Sequence, residues 1–451
     1  MTQNPIIVLF QRDLRLSDNP ALSSAADTKA PLIFLYVLDE KTPGKRKIGS
    51  AEKWWLHQSL KALQGDLSKK RCKLILRKGA LRSVVLEIAK KTKAQAVYYN
   101  RLYEPWFKDF RGIETKAFNG TLLHDPTDLF TKSGGPFKVF TPFWNAAQKD
   151  LDIGPILKVP KLAGAKVSLR TDTLSSWKLE PQKPNWAKGF SKYWTPGEKG
   201  ALKQLQKFTK SKLSQYVKKR DMPALEGTSK LSPHLHMGDI SPLQVWKAAQ
   251  KQGASAKKFR DELGWREFST YLLYHFPDLQ RANFNPKFNK MPWVKNTRGF
   301  KRWKEGLTGY PIVDAGMREL WATGWVHNRV RMIVASFLTK DLLIHWKEGA
   351  KWFQDTLVDA DLANNSASWQ WVAGSGADAA PFFRIFNPTT QGMQYDPKGD
   401  YVRKWVPELS KLKGKEIHEP WKCEFELDYP DPIVDHKEAR EKALQGFKKV
   451  K

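Results

Sequence analysis

Residues 72–100, CKLILRKGALRSVVLEIAKKTKAQAVYYN, decide the fold of the first part of the chain. The stretch opens with a short apolar run over 72–79, continues with helical spacing of apolar residues over 81–92, and returns to a strand-like run over 94–100. Two more apolar runs precede it, IIVLF (6–10) and PLIFLYVL (31–38). Strands that alternate with helices predict βαβ units, and therefore a doubly wound α/β domain with a mainly parallel sheet.

Ligands of such sheets gather beyond the carboxyl ends of the strands. The loops there contain neither a GxGxxG motif nor a P-loop, which disfavours a standard dinucleotide site. After the first strand, Asn19 and Pro20 are typical of the cap and first position of a helix.

The periodicity divides the chain into three parts. Residues 1–130 form the α/β domain, and 131–195, interrupted by prolines such as Pro136, Pro142 and Pro160, form a long connection over the surface. Residues 196–451 form a mostly helical domain, because apolar residues recur with helical spacing in stretches such as RDELGWREFSTYLLYHF, DAGMRELWATGW and NRVRMIVASFLTKDLLIHW.

Composition excludes several classes of protein. A length of 451 residues with 41% hydrophobic side chains predicts two or three cored domains and excludes disorder. Two cysteines exclude a disulfide framework and a cysteine-based zinc site. No apolar run reaches about 18 residues, and the first is too short for a secretory signal, so we expect a soluble, cytoplasmic protein without membrane contact. We also expect a monomer.

The net charge of +31 points to nucleic acid as a partner. The lysines are dispersed along the chain, however, and a solvated basic surface would have the same composition. Charge alone therefore favours nucleic-acid binding only slightly.

Two polar stripes stand out in the helical half. Glu262, Trp265 and Arg266 are spaced i, i+3 and i+4 and share one helix face, either an exposed salt-bridged face or the lining of a polar cavity. Asn328, Arg331 and Met332 repeat that spacing at the start of an apolar helix, with Arg329 to the side. A buried arginine there needs an acidic partner, for which the candidates are Asp359 and Asp361.

A third helical stretch, LANNSASWQWVAGSGA (362–377), carries two indoles on different sides. Asn365 and Trp369 share a face, whereas Trp371 points about 200° away from Trp369. Packing is the alternative role for each tryptophan.

The segment GTSKLSPHLHMGDISP (227–242) combines hydroxyl side chains with a helix start. Thr228, Ser229 and Ser232 fit either a phosphate site or a capped turn. His234 and His236 are spaced like a metal pair, but no third ligand is nearby, so we expect no metal.

These motifs resemble the photolyase/cryptochrome flavoproteins, and among them the cyclobutane pyrimidine dimer photolyases of class I type. The resemblance runs in order through nearly the whole chain, in LFQRDLRLSDNPAL (9–22), GTSKLSPHLHMGDISP (227–242), WREF (265–268), GLTGYPIVDAGMREL (306–320), GWVHNRVRM (324–332) and NPTTQG (387–392). It implies an α/β antenna domain followed by an all-α domain that binds FAD.

The resemblance also implies roles for individual residues. Arg331 would pair with Asp359 beside the flavin, and Asn365 would lie near its reactive nitrogen. The family's other FAD contacts fall at Tyr216, Thr228, Ser229, Lys230, Leu231, Ser232, Arg266 and Asp361. The lesion pocket would comprise Glu262, Trp265, Asn328, Arg329, Met332 and Trp371, with Arg220 and Gln391 contacting DNA. Electrons would pass between flavin and surface along Trp369, Trp346 and Trp303.

The implied reaction is light-driven repair of UV-damaged DNA. Excited reduced FAD gives an electron to a cyclobutane dimer that has been flipped out of the helix. Glu262, protonated through burial, would donate a hydrogen bond to a pyrimidine carbonyl.

Three members of the family compete. A (6-4) photolyase is expected to carry histidine where this chain has Asn328 and Met332. About 40 residues follow VPELS (406–410), too few for the long tail of a signalling cryptochrome, which stays the alternative as a blue-light sensor without repair activity.

Asn100 and Glu104 resemble the edge of an antenna site for a folate (methenyltetrahydrofolate), although a deazaflavin or no antenna stays open.

Overall fold

The computed structural model describes residues 3–107, 110–149, 151, 153–250, 253–379 and 383–450. Within this part, one five-stranded sheet has the order β3-β2-β1-β4-β5, and every neighbouring pair is parallel. The strands are β1 (Ile6–Phe10), β2 (Leu32–Leu38), β3 (Leu74–Lys78), β4 (Ala96–Asn100) and β5 (Glu114–Phe118). The prediction of a doubly wound, parallel α/β domain is confirmed.

Helices cover both faces of the sheet, namely α1 (Pro20–Asp27), α2 (Ser50–Ser68) and α3 (Leu81–Thr92). Ile6 and Val8 pack in the core that contains α1 and α2, whereas Ile7 and Leu9 pack with α3. Strands buried on both faces read as continuous apolar runs, which is why the sequence revealed them. The exposed edge strand β5 (ETKAF) lacks such a run and was not predicted.

The connection differs from the expectation of a loop laid over the surface. It contains α4 (Phe140–Lys149), whose Phe143, Trp144 and Ala147 are buried. The Trp144 indole lies 2.5 Å from the point where a Cβ on Gly264 would be, so only glycine permits this approach to the next domain.

The all-α domain is confirmed. Its helices are α5 (Glu198–Ser211), α6 (Tyr216–Lys219), α7 (Ser232–Met237), α8 (Pro242–Ala249), α9 (Gly253–His275), α10 (Thr297–Glu305), α11 (Pro311–Thr323), α12 (Asn328–Ser336), α13 (Trp346–Thr356), α14 (Leu362–Ala373), α15 (Pro388–Tyr395), α16 (Asp400–Trp405) and α17 (His436–Lys448). The helical pattern predicted over 328–346 is not one continuous helix. α12 passes into a π-helical turn over Phe337–Asp341, and α13 begins at Trp346 with His345 as its N-cap.

Among the residues that the structure describes, no helix has the length and apolar character needed to cross a bilayer.

Candidate active site

A cavity of about 560 Å³ lies between α9, α12, α13 and α14. Both polar stripes predicted from sequence face it, so they line a cavity and are not merely a solvated surface. The predicted residues that line it are Tyr216, Arg220, Ser229, Ser232, Glu262, Trp265, Arg266, Asn328, Arg329, Arg331, Met332, Asp359, Asp361, Asn365, Trp369 and Trp371.

The predicted pairing of Arg331 with Asp359 is confirmed. Nη2 of Arg331 donates to both carboxylate oxygens of Asp359, at 3.0 and 2.8 Å. The side chain of Asp359 is 4% exposed, so the charge of Arg331 compensates for a buried carboxylate. Asn365 donates from Nδ2 to the carbonyl oxygen of Ala350 at 2.9 Å, which holds α14 against α13.

Asp361 belongs to a chain of charges that joins the two domains. Nδ1 of His236 lies 3.6 Å from Asp361, and its Nε2 lies 3.3 Å from Glu52 on α2. Arg12, which follows β1, is 2.9 Å from the same Glu52. Burial alone would raise the pKa of Asp361, but the hydrogen bond and charge of His236 hold that pKa below its usual range.

The position of Glu262 differs from the expectation that its side chain is buried. Its side chain is 29% exposed, and it forms an ion pair with Arg220 and another with Lys258 at 3.5 Å. Glu262 is therefore not enclosed as expected, and the guanidinium of Arg220, which follows α6, lies directly against its carboxylate.

The two indoles expected to enclose the lesion are held by a common set of contacts. Trp265 stacks on Phe140 of α4, with 3.8 Å between ring centroids and 8° between planes, so one face of this indole is covered. Trp371 donates from Nε1 to the carbonyl oxygen of Asp378 at 3.1 Å, and Oδ2 of Asp378 accepts from the backbone N–H of Phe140 at 3.1 Å. The connecting helix α4 thus positions both indoles.

Four predicted contacts do not line the cavity. Thr228, Lys230 and Leu231 lie in the turn before α7, where Leu231 is buried in the core and Nζ of Lys230 lies 5.6 Å from the centroid of Trp325. Gln391 lies on α15, the helix that also carries Tyr395, whose ring is 4.4 Å from the guanidinium of Arg329.

The expected path from Trp369 to the surface does not end at Trp303. The indole of Trp303 is completely buried and lies 6.2 Å from Trp369, so it adjoins the inner tryptophan. Trp346 is also buried, but His345 connects it to the half-buried Trp293, with centroid distances of 5.6 and 5.1 Å. Of the four tryptophans, Trp293 is therefore the one that reaches solvent.

Asn100 is not available as the edge of an antenna site. It is 2% exposed, and its Nδ2 donates to Asp13 at 2.6 Å and to Asn19 at 2.8 Å. These side chains fill the crevice where the strand order reverses, the position at which doubly wound sheets usually bind ligands. Glu104 is bound by Nε of Arg12 at 3.2 Å and lines a small interdomain cleft of about 40 Å³.

The two histidines of the 227–242 segment each contact a carboxylate. Nδ1 of His234 lies 3.0 Å from Asp239, and His236 joins the interdomain chain of charges. Nowhere in the described ranges do three His, Cys, Asp or Glu side chains gather as a metal site would require.

Sequence reasoning missed the apolar walls of the cavity. These are residues such as Phe259, Leu263, Trp325, Phe353 and Leu357. Phe259 lies three residues before Glu262 and four before Leu263, so helical spacing places all three toward one side of α9, and that periodicity is the signal that marks the two apolar residues.

The cavity residues fit FAD. Arg266 with the hydroxyls of Ser229 and Ser232 suits the anionic diphosphate, and the apolar walls suit flat rings. The Arg331–Asp359 pair and Asn365 present donors and acceptors to the polar edge of a flavin.

Comparisons with known proteins agree with this geometry. The family model for DNA photolyase matches residues 6–163, and that for the FAD binding domain of DNA photolyase matches 259–449. A deoxyribodipyrimidine photo-lyase of Agrobacterium fabrum is 49% identical, over 99% of this chain and 98% of the relative.

Solved structures give the same result. A bacterial class III photolyase from Agrobacterium tumefaciens superposes with a TM-score of 0.95 at 48% identity, over 100% of this chain and 98% of that one. The motifs had suggested the class I type. A Synechocystis cryptochrome superposes with a TM-score of 0.88 at 31% identity, over 99% and 100% of the two chains. The chain therefore belongs to the photolyase/cryptochrome family, as an FAD-binding enzyme of the photolyase type.

Proposed function

We propose that the protein repairs cyclobutane pyrimidine dimers in DNA when illuminated with blue light. The observation that supports this most is the composition of the cavity mouth, where Trp265 and Trp371 provide apolar walls beside the polar Glu262 and Asn328. A dimer is apolar on its ring faces and polar at its carbonyl and N–H edges, so this combination suits it. The Agrobacterium fabrum relative named deoxyribodipyrimidine photo-lyase supports the same substrate.

The dimer opens after it gains an electron, and the electron then has to leave it. Reduced FAD supplies that electron when it is bound and excited by light. The protein binds the flipped dimer, orients it and excludes water. Trp265 and Trp371 hold the two pyrimidines, while Asn328 and Met332 contact their edges from α12.

Glu262 has a different part in this proposal from the one its sequence suggested. In the free protein its carboxylate is paired with Arg220. A bound DNA phosphate competes for Arg220, and we expect the guanidinium to turn toward that phosphate and free Glu262 to meet the lesion. Arg220 and Gln391 then contact the sugar-phosphate backbone of the DNA, and such contacts do not depend on the base sequence.

The remaining sites are also proposals. Electrons reach oxidised flavin through Trp369, which lines the cavity, then Trp346 and the half-buried Trp293. An antenna chromophore, if it binds near Glu104, does so without Asn100. We further propose that the protein acts as a monomer in the cytoplasm.

The test uses oligonucleotides that carry one defined cyclobutane dimer or one (6-4) product. We expect blue light to clear the dimer and leave the (6-4) product, with no repair in the dark. Equal repair in darkness, or repair of the (6-4) product alone, contradicts the proposal. Flavin photoreduction without repair of either lesion would instead support a light-sensing cryptochrome.

A further inference from the structure

A second cavity, of about 640 Å³, lies on the far side of Trp371. Trp371, Val372 and Ala377 line both this cavity and the active-site cavity, so the two are neighbours. We call it the basic cavity, and its other principal lining residues are Lys138, Phe284, Lys287, Lys340, Phe383 and Arg384.

Positive charge dominates the lining. Lys138, Lys287 and Arg384 are exposed at the rim, whereas the lining contains a single carboxylate, Asp378. That carboxylate already accepts from the backbone N–H of Phe140 at 3.1 Å. The cavity therefore attracts an anion, and phosphate is the anion that the active site next to it brings near.

Lys340 adds a buried amine that forms no ion pair among the described residues. Its side chain is 0% exposed, and Nζ lies 3.3 Å from the centroid of the Phe383 ring and 3.5 Å from the carbonyl oxygen of Arg384. Across the part of the chain that the structure describes, no carboxylate lies within ion-pair distance of this amine. Burial lowers the pKa of Lys340 to about 7, and an anion in the cavity would oppose that shift.

The apolar part of the lining is aromatic. Phe284 and Trp371 are half-buried, whereas Phe288 and Phe383 are buried, with 6.3 Å between their ring centroids. Aromatic faces beside cations are typical of surfaces on which unpaired bases stack while their phosphates are neutralised.

We propose that the basic cavity binds one unpaired nucleotide of the DNA next to the lesion. Its base stacks on Phe284 and Trp371, and its phosphate lies toward Lys287 and Lys340. This inference rests on the proposed function, because flipping a dimer breaks base pairs and leaves unpaired nucleotides beside the lesion pocket. The nucleotide comes either from the opposite strand or from the damaged strand adjacent to the dimer.

The experiment measures where a base stacks. Duplexes carrying one dimer contain 2-aminopurine either opposite the lesion or directly beside it on the damaged strand. Fluorescence titrations in the dark give the dissociation constant and the quenching at each position. The variants are Phe284→Ala and Lys287→Gln, and the matched control is Lys290→Gln, an exposed lysine at the end of the same short helical turn that does not line the cavity.

The expected result is quenching at one of the two positions with wild-type protein, and the position identifies the strand. Phe284→Ala should remove that quenching and weaken binding by at least about five-fold. Lys287→Gln should lower the slope of log Kd against log salt by about one, whereas Lys290→Gln should leave the quenching unchanged. Retained FAD absorbance shows that each variant is folded. Because Lys287 is exposed, Lys287→Gln still tests the inference if Phe284→Ala does not fold.

Two outcomes overturn the inference: no position-specific quenching with wild-type protein, or Lys287→Gln and Lys290→Gln with equal slopes and equal quenching. Failure of the proposed function looks different, because wild-type protein then leaves dimers uncleared under light. Protein that clears dimers but shows either of the two outcomes retains the function and lacks the nucleotide site.

Discussion

Replacing Gly349 with alanine tests how Trp369 is held in the active site. Gly349 lies on α13, and a Cβ added there would be 2.1 Å from Cη2 of Trp369. Carbon atoms in contact are normally about 3.5–4.0 Å apart, so the indole or the helix must move by more than about 1 Å. Gly65 on α2 is the control, because a Cβ there meets nothing within 4 Å.

The two substitutions should have opposite effects on the free energy of unfolding. At an open helical position, Gly→Ala stabilises by about 0.5–1 kcal/mol. Overpacking at a closed position costs about 1–3 kcal/mol. Both glycines lie in helices, so both variants receive that gain, and we expect Gly349→Ala to be less stable than Gly65→Ala by about 1–3 kcal/mol, the cost of overpacking.

Urea unfolding of both variants measures this difference. The ratio of FAD to protein after purification, together with the rate of flavin photoreduction, shows whether the displaced indole disturbs the cavity. A Gly349→Ala protein as stable as Gly65→Ala, with full FAD content and the wild-type rate, would refute the packing of Trp369 against α13.

Three further predictions follow from the same geometry. Asp359→Asn leaves the guanidinium of Arg331 without its carboxylate, so we expect a loss of about 3 kcal/mol in unfolding free energy and weaker FAD retention; unchanged urea midpoints contradict this. Trp369→Phe and Trp293→Phe should slow photoreduction of oxidised flavin but spare repair by enzyme reduced beforehand, and a collapse of that repair would exclude a role in photoreduction alone. The pKa of Lys340 is about 7 in the folded protein, against 10.5 for an ordinary lysine. Between these two pH values the unfolded chain binds more protons than the folded protein. The free energy of unfolding therefore rises with pH across that window, by up to about 5 kcal/mol. Lys340→Met should flatten this rise, and urea midpoints with the same slope as wild type from pH 7 to 10 would contradict it.

The fold followed from the sequence because burial on both faces of a parallel sheet leaves long apolar runs, such as that of β2. The stripe of Glu262, Trp265 and Arg266 identified one wall of the active site for a similar reason, since helical spacing reports a shared face. Periodicity within one element says nothing about what faces it across the cavity. The contact of Trp265 with Phe140 and that of Glu262 with Arg220 therefore became visible only in the structure.

The burial of individual polar and aromatic residues could not be predicted from the sequence either. Asn100 ends a strand, a position typical of ligand contacts, yet neighbours from the loop after β1 occupy its amide. Trp303 and Trp293 are ten positions apart in the sequence, and nothing in their local patterns shows that only Trp293 reaches solvent.

The position of Trp371 between two cavities affects how its variants are to be interpreted. Shortening this side chain changes the lining of both cavities at once. A loss of repair in a Trp371→Ala protein would then have two causes, weaker binding of the lesion and entry of water from the basic cavity. It would not measure the contribution of a single contact. Phe284 lines the basic cavity and Trp265 lines the active-site cavity, so single variants at these residues test the two cavities separately. A double-mutant cycle between them then measures whether the cavities are coupled.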